Sequence, residues 1–202
     1  MKATILLATL KRDGLSNTRT LSEFLAGRME RAGVDVSIVT LVERNVPPGT
    51  YSDMGDGDEW PAILRQLLDS DLIVFATPVW WNNQSSLMQR VIERLDELHD
   101  EIMEGRPSRL EGKVAGIVVT GDSDGAQTII ANLCNFSIAL GMVVPPYGSL
   151  TVLHEKQAKG KDTPREELLA MYEKDYARTA DTMIAGMQRL AGAGKRAGKP
   201  DS

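Results

Sequence analysis

Residues 9–18 read Thr9-Leu10-Lys11-Arg12-Asp13-Gly14-Leu15-Ser16-Asn17-Thr18, leaving a β-rich run and entering a helical pattern. The hydroxyls of Thr9, Ser16 and Thr18, the N–H groups of Asn17 and its neighbours at a helix start, and the mobile charge of Lys11 make a donor set for a phosphate, which the helix dipole favours there. Ser16 or Asn17 acting only as a helix cap accounts for the same residues. The loop alone leaves both readings open. It contains neither G-x-G-x-x-G nor G-K-[ST], so it is not a dinucleotide fingerprint or a P-loop.

A second segment, Pro78-Val79-Trp80-Trp81-Asn82, follows another apolar run and places two of the chain's three tryptophans side by side. Large aromatics at a strand end can flank a planar heteroaromatic ring, with loop N–H and C=O groups bonding its edge. A dimer contact or a place in the core is the structural alternative for Trp80 and Trp81. The third segment, Thr120-Gly121-Asp122-Ser123-Asp124-Gly125-Ala126, again joins a strand pattern to a helix start, and Asp122 and Asp124 either face a ligand or cap the helix. Three such loops at one sheet edge can hold a phosphate, a ribityl chain and a flat ring.

The elements that must position these loops follow from periodicity. Runs at 3–9, 34–40, 71–77 and 113–120 are apolar at nearly every position, as strands covered on both faces require. A fifth at 142–153 contains Pro145-Pro146 and reads as an edge or interrupted strand. Helical patterns fill 17–32, 60–70, 86–98 and 126–140, and a last one opens with Thr163-Pro164-Arg165-Glu166 as a capping box and runs to about 190. Strands alternating with helices give a doubly wound α/β fold, a five-stranded parallel sheet of order 2-1-3-4-5 with helices on both faces. In that order the crevice opens beyond strands 1 and 3, which lead into the first two loops. One domain spans 1–191, and the Gly/Ala/Lys-rich stretch 192–202 reads as a disordered tail.

Composition narrows the chemistry. A net charge of -5 disfavours nucleic acid, and no stretch reaches the ~18 apolar residues of a membrane span, so the expected location is cytoplasmic. One cysteine, Cys134, cannot make an internal disulfide or hold an iron–sulfur cluster within one chain, so redox work would need an organic cofactor. The two histidines, His99 and His154, read as caps or surface residues, and no G-x-S-x-G elbow or metal-ligand spacing is present. Residues 46–58, with Pro47-Pro48-Gly49 and a run of acids, read as a mobile flap or a dimer contact.

On these residues the chain resembles the flavodoxin-like NAD(P)H-dependent FMN reductases, including their multimeric flavodoxin and quinone-reductase branch. The resemblance rests on the 9–18 loop ending in Ser-Asn-Thr, on Thr77-Pro78-Val79-Trp80-Trp81 followed by a helix with Arg90 and Glu93-Arg94, and on 113–126. It departs at Ala8-Thr9, where the family has Gly-Ser, and at the third loop, which lacks a glycine pair. It implies non-covalent FMN, its phosphate in the first loop and its ring against the second and third, with NAD(P)H as co-substrate. The implied acceptor is a small molecule such as a quinone or a flavin, and the implied assembly is a homodimer or homotetramer with the third helix and the tryptophan loop near the interface. A non-enzymatic electron carrier of the flavodoxin type is the alternative.

Overall fold

The computed structural model describes residues 1–158 and 163–197. Five strands, β1 (Lys2–Leu7), β2 (Asp35–Thr40), β3 (Leu72–Pro78), β4 (Val114–Gly121) and β5 (Ser149–Leu153), form a parallel sheet in the order β2-β1-β3-β4-β5. That is the expected order. Helices α1 (Asn17–Arg31), α6 (Arg165–Asp175) and α7 (Ala177–Ala197) cover one face, and α2 (Trp60–Asp69), α3 (Ser86–Arg94) and α5 (Ala126–Ala139) the other, with α4 (Glu97–Met103) following α3.

The two cores explain the unbroken apolar runs. Alternate residues of the inner strands enter opposite layers: Leu6, Ile73, Phe75, Ile117 and Val119 meet Trp60, Leu67, Val91 and Leu133, while Ile5, Leu7, Val74 and Val118 meet Leu21, Phe24, Tyr172 and Met183. Edge strand β2 departs from this pattern, with Asp35 and Ser37 exposed, because it has a neighbour on one side only. At Gly116 an added Cβ would lie 2.5 Å from Met183 Cε and 2.9 Å from Met187 Sδ, so glycine lets α7 sit close on β4.

The structure departs from several expectations. The helix expected at 86–98 stops at Arg94 and resumes as α4, and the last helix breaks at Tyr176, where packing changes from α1, reached by Leu168 and Tyr172, to the sheet, reached by Met183 and Met187. The capping box does not form: Pro164 is the N-cap, and the Thr163 hydroxyl donates to Lys156 O at 2.7 Å, closing the loop before α6. Helix α7 runs to Ala197, beyond the domain end expected at 191, and residues 198–202 of the expected tail lie outside those described. The flap at 46–58 is fastened instead. Arg94, fully buried, donates to Tyr51 O (2.8 Å), Pro47 O (3.1 Å) and Asp58 Oδ2 (2.5 Å), and Arg90 donates to Val46 O (2.9 Å).

Candidate functional site

The carboxyl ends of β1, β3 and β4 bring the three loops to one edge of the sheet. In the first, Ser16 is the N-cap of α1 and its hydroxyl accepts the Arg19 N–H at 3.3 Å. The N–H groups of Asn17 and Thr18, which helix geometry leaves without intrahelical partners, remain for an anion. The hydroxyls are otherwise engaged. Thr9 Oγ1 and Ser16 Oγ lie 2.8 Å apart, and Thr18 Oγ1 and Thr120 Oγ1 2.7 Å apart, all four residues buried. Each pair shares one proton internally and retains one for a ligand. The Lys11 ammonium donates to Leu15 O (2.9 Å) and the Arg12 guanidinium to Val42 O (3.0 Å), so the loop keeps positive charge bonded only to carbonyls. The Asn17 side chain turns away, donating to Gln157 O at 3.2 Å.

The second loop is a tight hairpin. Trp80 and Asn83 exchange both backbone bonds, at 2.8 and 2.9 Å, around Trp81 (φ +49°) and Asn82 (φ +63°). Two left-handed residues in a two-residue turn match the right-handed twist of the flanking chain, a conformation for which glycine and asparagine are the usual choices. Trp81 is 92% exposed and Trp80 39%, so neither belongs to the core. Val79 N–H donates to Thr120 O (2.8 Å), tying this loop to β4.

In the third loop neither aspartate caps the helix. Gly125, at φ +87°, is the N-cap of α5 with no side-chain acceptor, and Asp122 and Asp124 are exposed on either side of Ser123. A Cβ on Gly125 would lie 2.8 Å from both Val79 Cγ1 and Asn82 Oδ1, so glycine seats the hairpin against the start of α5. The first N–H groups of α5, from Ala126 onward, thus have no side-chain cap and stand beside Val79 and Asn82 of the tryptophan hairpin.

This donor set fits FMN: backbone N–H groups at the starts of two helices, a lysine at one of them, and exposed indoles beside the other. The groups whose titration is displaced, including Asp58, Glu97, Lys113, Tyr172 and Asp181, lie outside the three loops. His154 is a cap, its Nδ1 accepting Lys156 N–H at 3.1 Å. Two residues absent from the sequence-based set, Thr77 and Ser85, are wholly buried at the base of the second loop, where Ser85 N–H donates to Thr77 Oγ1 at 2.9 Å. Ser85 is legible as a helix cap, but its partners are not. Arg90 and Arg94, which carried part of the family resemblance, fasten 46–58. A cavity of about 610 Å³ lined by Lys2, Asp35, Arg65 and Asp69 lies at the opposite end of the sheet and includes no residue of the three loops.

The pattern of the family described as NADPH-dependent FMN reductase matches residues 1–157. A divalent metal cation transporter, MntH, of Mycobacterium bovis is 34% identical over 151 residues, covering 72% of this chain and 22% of that protein. The 8-demethyl-8-aminoriboflavin-5'-phosphate synthase of Streptomyces davaonensis is 28% identical over 156 residues, covering 72% of this chain and 61% of that protein. The chain therefore spans less than two thirds of the length of either relative. The structure of RosB with bound 8-demethyl-8-formylriboflavin-5'-phosphate superposes with a TM-score of 0.80 at 26% identity, over 97% of this chain and 81% of that one. Among the described residues no helix is long and apolar enough to cross a membrane.

Proposed function

The chain belongs to the NADPH-dependent FMN reductase family, and from that premise we propose that it carries hydride from NADPH or NADH to a small acceptor, a quinone or a flavin, as a cytoplasmic homo-oligomer. FMN, when bound, supplies the hydride chemistry. The chain positions and solvates its ligands electrostatically. Asn17 and Thr18 N–H groups, Lys11, and the spare hydroxyl protons of the Thr9–Ser16 and Thr18–Thr120 pairs hold the phosphate. Pro78, Val79, Trp80, Trp81 and Asn82 wall the ring, and Gly121, Asp122, Asp124, Gly125 and Ala126 border its other edge. N–H groups at the start of α5 favour negative charge beside them. No side chain of these loops is assigned a proton to move. The observation that carries this reading is the convergence of two helix starts, α1 and α5, on one edge with the tryptophan hairpin between them.

In this proposal the second copy docks on the outer face of α5 rather than on the third helix expected above, which carries Arg90 and Glu93. Residues 126–154 contain no Asp, Glu, Lys or Arg, in a chain where 25% of residues are charged. A two-fold axis brings a surface against itself, so a face without charge of either sign meets no like charge.

Absorption of the FMN-loaded protein, followed by anaerobic stopped-flow mixing with NADPH and NADH, tests the reading. Oxidised-flavin bands that bleach with either nicotinamide are expected. Retained flavin that neither reduces would replace the enzyme by an electron carrier, and failure to bind flavin would remove both. The likeness to the riboflavin-phosphate synthase supports a second reading, in which a flavin phosphate is the substrate. Mass spectrometry of the flavin recovered after turnover separates the two: unchanged FMN for the reductase, an altered ring for the other.

A further inference from the structure

The loops that hold the two ends of the ligand leave adjacent strands, β1 and β3, and the bonds between those strands set the gap. Ala8 N–H donates to Ala76 O at 2.8 Å, continuing the register in which Leu7 pairs with Ala76. In a parallel ladder the carbonyl of that same residue takes its bond from the N–H two positions farther along the neighbour, which is position 78. Val79 N–H is turned to β4, bonding Thr120 O at 2.8 Å, so position 78 is the one that faces β1. Position 78 is proline and has no N–H. The rung is missing where the two loops begin.

Ser85 fills it. Its hydroxyl donates to Ala8 O at 2.7 Å, its N–H donates to the hydroxyl of Thr77, the residue paired with Ala8 in the continued register, at 2.9 Å, and the same Oγ accepts Met88 N–H at 3.2 Å. Ala8, Thr77 and Ser85 are all 0% exposed, so water does not substitute for any of these bonds. We infer that Ser85 is a positioning residue whose hydroxyl replaces the ladder bond Pro78 cannot make, and so fixes the separation of the phosphate loop from the ring loop. This rests on the FMN reading for its consequence but not for its geometry. A ligand held at both ends depends on that separation; riboflavin, which lacks the phosphate, does not.

The test is a cycle of Ser85→Ala, Pro78→Ala and the double variant, read by urea unfolding without flavin and by titration with FMN and with riboflavin. Ser85→Ala leaves Ala8 O buried without a donor, and FMN affinity is expected to fall about tenfold or more while riboflavin affinity changes much less. In that background Pro78→Ala restores an N–H at the missing rung and recovers most of the loss in both urea midpoint and FMN affinity, although the same change gives no gain beside an intact Ser85. A single variant that does not fold beside a double variant that does counts as the same recovery. Simple addition of the two effects, equal loss for FMN and riboflavin, or failure of both Ser85→Ala variants to fold would overturn the inference. If the parent protein holds no flavin, the FMN reading falls, and the urea cycle alone decides the rung.

Discussion

Trp81 holds a left-handed backbone at φ +49° while its side chain is 92% exposed. That conformation costs a non-glycine residue roughly 1–2 kcal/mol, and an exposed indole regains little of it from packing within its own chain. The hairpin bonds hold that backbone, but a tryptophan in place of glycine there gains nothing within the chain, which points to a contact outside it that the proposed ring site supplies. Trp81→Gly is therefore expected to raise the stability of the flavin-free protein by about 1 kcal/mol and to weaken FMN binding or narrow acceptor range. Urea unfolding and flavin titration check the two halves. Since indole does not titrate near neutrality, Trp81→Phe should change affinity without moving the pH profile of flavin reduction.

Among the elements, the 46–58 segment shows how a long loop is made part of the body of the fold. Arg94 bonds three points of it from α3 and lies 5.7 Å from the centroid of the Trp60 ring, which opens α2. Burial pushes the Asp58 carboxyl up, but the Arg94 guanidinium and the N–H groups of Trp60 and Met54 outweigh it and hold the carboxyl below its ordinary value. A carboxyl depressed in the folded state stabilises the fold above its unfolded pKa, and that contribution is lost as pH falls through the folded value. Asp58→Asn, which leaves Arg94 buried without a counter-charge, is expected to cost about 3–5 kcal/mol at neutral pH. The difference from the parent should stay constant down to about pH 5 and shrink below about pH 4, where the carboxylate of the unfolded chain takes up its proton while the folded one still holds its charge. Urea midpoints across that range measure it. A difference independent of pH down to the acid transition would show that the carboxylate charge contributes little.

For the whole molecule the surface proposed to meet a second copy is α5. Ile138 is 63% exposed near its end, Cys134 and Phe136 are half-buried, and no charge interrupts the face. Because the tryptophan hairpin rests on Gly125 at the start of the same helix, a copy docked there also borders the ring site. Ile138→Asp places like charges near each other across a two-fold axis and is expected to convert the dimer to monomer in light scattering, with flavin affinity reduced where the partner borders the ring. A parent protein with the mass of one chain at working concentration would remove the dimer from the proposal.

The doubly wound order, the three loops and their place at one edge were legible in the chain itself, because a strand buried on both faces must be apolar at every position and a parallel neighbour requires a helix between. The resemblance to FMN reductases was legible for the same reason: the motifs are contiguous, and contiguous residues share a loop. What the tertiary structure alone decided is which partner each polar group meets. Thr18 finds Thr120, Ser85 finds Ala8, and Arg94 finds Asp58 across long stretches of chain. A hydroxyl that reads only as a phosphate donor in sequence, that of Thr18, also ties the start of α1 to β4, since hydrogen bonds depend on distance and direction in space and leave no period along the chain.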